Sequence, residues 1–254
     1  AIDAGNTNIV FGIHDGTSWI HEWRFETFPI RNEIEYDMFL RMNFLEANLT
    51  LEQVNRVVIS SVVPELNDIL SRFTLPIISQ APVFVGPKIY DQLPISTQNP
   101  YEIGTDLIAN AMAGYMLYKQ DIVIVDFGTA LTFTVVDGNG NIKGVNIAPG
   151  LKTAIKALVG NTAQLPEVPL ELPESVIGTN TTTAIQNGVL WGYVALVEGM
   201  LDRIQAELKK DIKVVATGGL SAILHPLHNR FDQVNRHLTL EGLRFIHQAV
   251  ITTI

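Results

Sequence analysis

The chain has 254 residues, of which 47% are hydrophobic and 17% charged, a length and composition that allow one large or two medium compact domains and exclude a disordered chain. Its formal net charge of -9, with no Lys/Arg-rich block to offset it, argues against a general nucleic-acid binder. The absence of cysteine rules out disulfides, thiolate metal sites and a cysteine nucleophile. No apolar run approaches the roughly 20 residues that span a bilayer, and no basic segment followed by an apolar one opens the chain, so a soluble cytoplasmic protein without a membrane partner is expected. Ala1 falls inside a strand-like run, so an initiator Met and a few strand residues are expected to precede this numbering.

Ile2-Asp3-Ala4-Gly5-Asn6-Thr7 leads into Ile9-Val10-Phe11-Gly12-Ile13 and a turn at Asp15-Gly16, which predicts a hairpin over residues 2–13 and 18–25. Residues 32–47 place Ile34, Met38, Phe39, Met42 and Leu45 at helical spacing and predict an amphipathic helix. A short strand is predicted at 57–60, a helix from Pro64 to about residue 72, and a further strand at 82–86. Residues 87–100 read as loop with an extended piece at 93–96. From residue 105 to 115 the chain is rich in helix formers, with Thr105 as a natural N-cap and Asp106 in the first turn. A second hairpin is predicted from residue 122 to about 147, and a helix from 148 to about 160. Residues 165–173, with three prolines, read as an extended loop. Residues 181–208 form the longest helical segment, 212–216 a buried strand ending at Thr217-Gly218-Gly219, 220–224 a short helix and 238–250 a closing helix. A boundary near 115–121 gives two halves of mixed sheet flanked by helices.

Asp126-Phe127-Gly128-Thr129-Ala130-Leu131-Thr132 is the most informative stretch, because it places an acidic residue where a buried strand breaks into a glycine turn. Gly128 lets backbone N–H groups approach a ligand, Thr129 and Thr132 offer hydroxyls, and Asp126 can hold a cation, which together suit a polyphosphate carrying a metal. Asp3-Ala4-Gly5 repeats the pattern about 120 residues earlier, and two such hairpins point to a duplicated domain. The six histidines show no metal-ligand spacing, and neither a P-loop nor a dinucleotide Gly-x-Gly-x-x-Gly is present.

These hairpins, with Gly104-Thr105-Asp106, Ala148-Pro149-Gly150-Leu151, Gln164-Leu165-Pro166, Ile177-Gly178-Thr179-Asn180-Thr181 and Ala216-Thr217-Gly218-Gly219, make the sequence resemble the type III pantothenate kinases over almost its whole length. These kinases belong to the acetate and sugar kinase, heat-shock 70 and actin superfold. The resemblance implies an α/β fold of duplicated ribonuclease H-like (actin-like ATPase) domains, each a mixed five-stranded sheet flanked by helices, divided as residues 1–118 and 119–254. It implies ATP-dependent phosphorylation of pantothenate to 4'-phosphopantothenate, the first step of coenzyme A biosynthesis, by a homodimer to which the helix from Thr181 contributes. Carried over by position, Asp3, Ala4, Gly5, Asn6, Thr7, Asn8, Ile9 and Val10 form the first phosphate loop. Gly128 and Thr129 form the second, and Gly218 and Gly219 lie towards the adenosine. The resemblance further implies that Asp126 would bind a monovalent cation, potassium or ammonium, with Asp3 a candidate for Mg2+ held through the phosphates. It implies Asp106 as the general base, with Thr97, Gly104, Thr105, Leu107 and Thr181 around the substrate.

Two departures stand out. Leu107 occupies the position where the family usually has an Arg that pairs with the pantothenate carboxylate, and Thr97 stands where a Tyr is usual, seven residues before Gly104. Lys152 and Lys156 are candidates to replace that Arg, from this chain or a second subunit, against a plain reading as a solvated helix face. The departures keep open a kinase for another small hydroxyl compound, and a non-catalytic nucleotide-binding homologue that regulates a partner.

Overall fold

A computed structural model describes residues 1–78, 80–219 and 223–252. The chain falls into two compact units, Ala1–Met116 together with the segment from Leu238, and Leu117–His237. Among the described residues no helix is long and apolar enough to cross a membrane.

The first unit contains strands β1 (Ile2–Ala4), β2 (Asn8–His14), β3 (Trp19–Glu26), β4 (Val58–Ser61), β5 (Val83–Phe84) and the two-residue β6 (Ser96–Thr97). Its five-stranded sheet has the order β3-β2-β1-β4-β5. β1 pairs antiparallel with β2 and parallel with β4, Ile2 opposite Ile59 and Asp3 opposite Ser60. Side chains alternate across a strand, so Ile2, Ala4 and Ile59 enter one core while Asp3 and Ser60 point to the other face. The predicted first strand is thus two strands, broken at Gly5 where the backbone turns back on itself.

On the core face lie helices α1 (Glu33–Glu46) and α2 (Pro64–Thr74). Asn32 caps α1 through a reciprocal box with Glu35, each backbone N–H donating to the other's side chain at 3.1 Å. Of the stripe read from the sequence only Phe39 packs on the core, half-buried; Ile34, Met38, Met42 and Leu45 are exposed while Tyr36, Leu40 and Phe44 are buried. Two apolar stripes compete on this helix. The one carrying Tyr36 and Phe44 wins, since Phe73 on α2 and Phe25 and Trp23 on β3 supply aromatic partners.

α3 (Thr105–Tyr118) completes the unit together with α7 (Leu238–Thr252). The closing helix, assigned from the sequence to the second half, packs instead on the first unit. Thr239 donates to the buried Asn110 side chain at 2.8 Å, the Trp19 indole donates to Glu241 at 2.8 Å, and Gly242 lies directly on the Ala109 carbonyl.

The second unit repeats the local plan. β7 (Ile122–Phe127) pairs antiparallel with β8 (Ala130–Val136), which pairs antiparallel with β9 (Asn141–Pro149); on its other side β7 runs parallel to β10 (Lys213–Thr217), and β10 to β11 (Gln233–Val234). Helices α4 (Leu151–Gly160), α5 (Thr181–Gln186) and α6 (Gly192–Leu208) follow β9. β9 reaches Pro149, so the helix expected from 148 starts at Leu151 behind Gly150. The single long helix expected over 181–208 is interrupted by a π turn at Asn187–Trp191, where Gly188 and Gly192 weaken the α-helical preference. Residues 220–222 of the helix expected at 220–224 lie outside the described residues.

A Cβ at position 242 would collide with the Ala109 backbone, so Gly242→Ala is expected to separate α7 from α3. The expected loss is about 1–3 kcal/mol, read as a lower denaturation midpoint in urea with an unchanged slope.

Candidate active site

Apolar neighbours bury β1, leaving a short polar segment at its end. Gly5 donates its N–H to the Asn8 carbonyl at 3.0 Å, and a Cβ on Gly5 would meet that oxygen at 3.3 Å. Thr27, fully buried, braces the turn by donating its hydroxyl to the Gly5 carbonyl at 2.6 Å and its N–H to the Thr7 carbonyl at 3.1 Å. Of the eight residues expected in the first loop, Ala4 and Ile9 are core side chains. That segment can therefore offer a ligand its backbone, the exposed Asn6 and Thr7, and Asp3 at its root.

The same face of the sheet receives α3. Thr105 was expected to cap this helix; its hydroxyl instead lies 2.9 Å from that of Ser60, on the strand beside Asp3. Asp106, in the first turn of the helix, turns its Oδ1 back to accept the Leu107 N–H at 2.9 Å. Gly104 allows this, because a Cβ there would sit 2.5 Å from Asp106 Oδ1. Burial pushes the Asp106 carboxyl above its ordinary range, against the two backbone hydrogen bonds that favour its charge. Tyr90 feels that carboxylate: burial first, and then the Asp106 charge, hold its phenol at about 12. One unit thus brings together Asp3, Gly5, Gly104, Thr105 and Asp106. Ser60, Thr27 and Tyr90 were missed in the sequence, where only the paired serines after a strand hinted at a polar edge.

In the second unit Gly128 and Thr129 form the β7–β8 turn, both exposed, with the Gly128 N–H donating to the Ala130 carbonyl at 3.1 Å. The start of α4 closes on this turn: the Gly150 N–H donates to the Thr129 carbonyl at 3.0 Å and the Thr153 hydroxyl to the same oxygen at 2.8 Å. Asp126 lies between Thr132 and Thr217 in register across β8, β7 and β10. Gly218, at φ +90°, is pressed against it, so that a Cβ would fall 2.7 Å from Asp126 Oδ1 and 2.6 Å from the Phe127 carbonyl. A carboxylate and a carbonyl converging under a glycine are oxygen donors that fit a hard cation. Gly219 is exposed, with nothing within 4 Å of where its Cβ would be.

The remaining candidates stand apart from these clusters. Thr97 lies on β6, half-buried. Thr181 is exposed at the start of α5, behind the Asn180 cap, and borders a 690 Å³ depression with Leu158, Gly178 and Val189. Leu107 is buried, only 7% exposed, and belongs to the interior. Lys152 and Lys156 are exposed on α4.

The type III pantothenate kinase family model matches residues 1–203. A protein of Geobacter sulfurreducens named type III pantothenate kinase is 42% identical over 247 residues, 97% of each chain. Among solved structures, a Campylobacter jejuni protein described as a Baf family transcriptional activator superposes with a TM-score of 0.61 at 20% identity, covering 99% of this chain and 98% of that one. The activator of 2-hydroxyisocaproyl-CoA dehydratase from Clostridium difficile superposes with a TM-score of 0.54 at 10% identity, over 99% and 95% of the two chains. At such identities these two likenesses speak for the fold alone, which is that of the actin-like ATPases and sugar kinases. With a family model over most of its length and a full-length relative well above 30% identity, the chain belongs to the type III pantothenate kinase family.

Proposed function

We propose that the chain transfers the γ-phosphoryl group of ATP to the primary hydroxyl of pantothenate, giving 4'-phosphopantothenate, with Asp106 as the general base. The observation that carries this reading is a carboxylate withdrawn from water at the start of α3, its proton affinity raised by burial, in a chain of a kinase family. Phosphoryl transfer asks mainly for positioning and charge neutralisation, plus a group that accepts the hydroxyl proton. Asp106 Oδ1 is taken by the Leu107 N–H, so the other carboxylate oxygen is the one to receive that proton. A raised pKa makes the carboxylate a stronger base once it is ionised.

In this reading the 3–10 segment and the Gly128-Thr129 turn hold the phosphates with backbone N–H groups, and Gly218 and Gly219 face the adenosine. Asp3 would help to hold Mg2+, which would neutralise charge on the phosphates. Asp126 and the Phe127 carbonyl would hold a monovalent cation, potassium or ammonium, which supplies positive charge against the transferring group. Thr97, Gly104, Thr105 and Thr181 surround the acceptor, and the working assembly is a homodimer. A second reading, a kinase for another small hydroxyl compound, is favoured by one observation. Leu107 is an uncharged, buried side chain where the family usually has an Arg, so this position offers no cation to an acceptor carboxylate.

Asp106→Asn is expected to lower kcat by about 10²- to 10⁴-fold while ATP still binds, as measured by steady-state kinetics and nucleotide titration; full turnover in the variant would remove Asp106 as the base. In the intact enzyme kcat should fall with acidification at a pH above that of an exposed aspartate, because the group must be ionised to act and burial raises its pKa. The same shift has a stability consequence. A carboxyl whose folded pKa exceeds its unfolded value opposes folding at neutral pH and is without effect where both states are protonated. Asp106→Asn should therefore raise Tm at pH 7, and the gain should vanish below the ordinary carboxylate range. Pantothenate should be phosphorylated in preference to its uncharged alcohol analogue in a coupled assay; equal or better use of the alcohol would favour the second reading.

A further inference from the structure

Ser60 is fully buried on β4, yet carries a hydroxyl where an alanine would fit a strand interior. Its register partner is Asp3, and its side chain emerges on the face that receives α3. There it meets the Thr105 hydroxyl at 2.9 Å. A fully buried hydroxyl such as that of Ser60 is tolerated only when bonded, and the half-buried Thr105 hydroxyl is its partner. The Ser60–Thr105 bond therefore fixes one rotation of the first turn of α3 relative to the central strands. Asp106 is the next residue, tethered to its own helix through Leu107 and boxed by Gly104. Gly104 in turn abuts Val62, which leaves β4 and donates its N–H to the Ala4 carbonyl at 3.0 Å. Strand edge and helix start are thus joined on either side of the carboxylate.

We propose that Ser60, acting through Thr105, is a positioning residue for the Asp106 carboxylate. This inference rests on Asp106 being the base. Ser60 does not touch substrate; it decides how far the Asp106 oxygen stands from the hydroxyl it serves. Misplacing a reacting group by about 1 Å costs as much as 100-fold in rate, so loss of the bond should appear in turnover and not in nucleotide affinity.

The test compares Ser60→Ala, Thr105→Val, their double variant and Thr105→Ser in the full chain, with kcat, KM for ATP, the pH profile of kcat and Tm measured for each. Each single variant is expected to lose about 10-fold in kcat with KM for ATP unchanged, and the double variant should be no worse than the poorer single one. The acid limb of kcat should move to lower pH, since water admitted beside Asp106 relieves the burial that raises its pKa. Thr105→Ser should recover turnover relative to Thr105→Val. Turnover, pH profile and KM all unchanged in Ser60→Ala, or losses in the double variant that simply multiply, would overturn the inference. So would a loss of kcat that tracks Tm with no movement of the acid limb. Asp106→Asn is assayed alongside: its inactivity with an unaffected Ser60→Ala refutes the positioning role alone, whereas an active Asp106→Asn refutes the base assignment beneath it.

Discussion

A carboxylate kept out of water at a helix start is the constraint on which the first unit depends. Asp106 would be more stable solvated, and burial raises its pKa against the pull of two backbone hydrogen bonds. Gly104, two residues earlier, leaves room for it, since a Cβ there would press on Oδ1 and displace the carboxyl. Holding it there also requires a helix that cannot rotate away. α7 clamps α3 from behind through the Gly242–Ala109 approach and the Thr239–Asn110 bond, and the Ser60–Thr105 bond holds it in front. The packing around α3 therefore maintains a locally unfavourable charge.

The two units solve the presentation of backbone in the same way. Each has a central strand buried among apolar neighbours, an aspartate near its end and a glycine turn into an antiparallel partner. The turns are braced differently: in the first unit Thr27 reaches back to the Gly5 carbonyl, while in the second the start of α4 closes on the Thr129 carbonyl through Gly150 and Thr153. The strand plan is shared and the brace is not.

The helix α1 shows where a sequence pattern fails. Ile34, Met38, Met42 and Leu45 recur at a sound helical period, as do Tyr36, Leu40 and Phe44. Periodicity identifies a helix without naming its inner face when two stripes coexist. The choice is made by Trp23 on β3 and Phe73 on α2, outside the helix in sequence. The π turn at Asn187–Trp191 and the return of α7 to the first unit share that character, being settled by partners that local spacing cannot reveal.

By itself the sequence determined the strand-turn-strand repeats, the helix that opens on Asp106, the family and hence the class of reaction, because these are written in contiguous residues whose chemistry is local. Asp3, Asp106 and Asp126 could be singled out on glycine spacing and resemblance. The tertiary structure decided what those residues face. It turned the Thr105 hydroxyl from a cap into a bond with Ser60, sent Leu107 into the interior, and set Asp126 beneath Gly218. Each of these depends on strand register or helix rotation. Those are fixed by the packing of segments distant in the chain, and no window of sequence contains both partners.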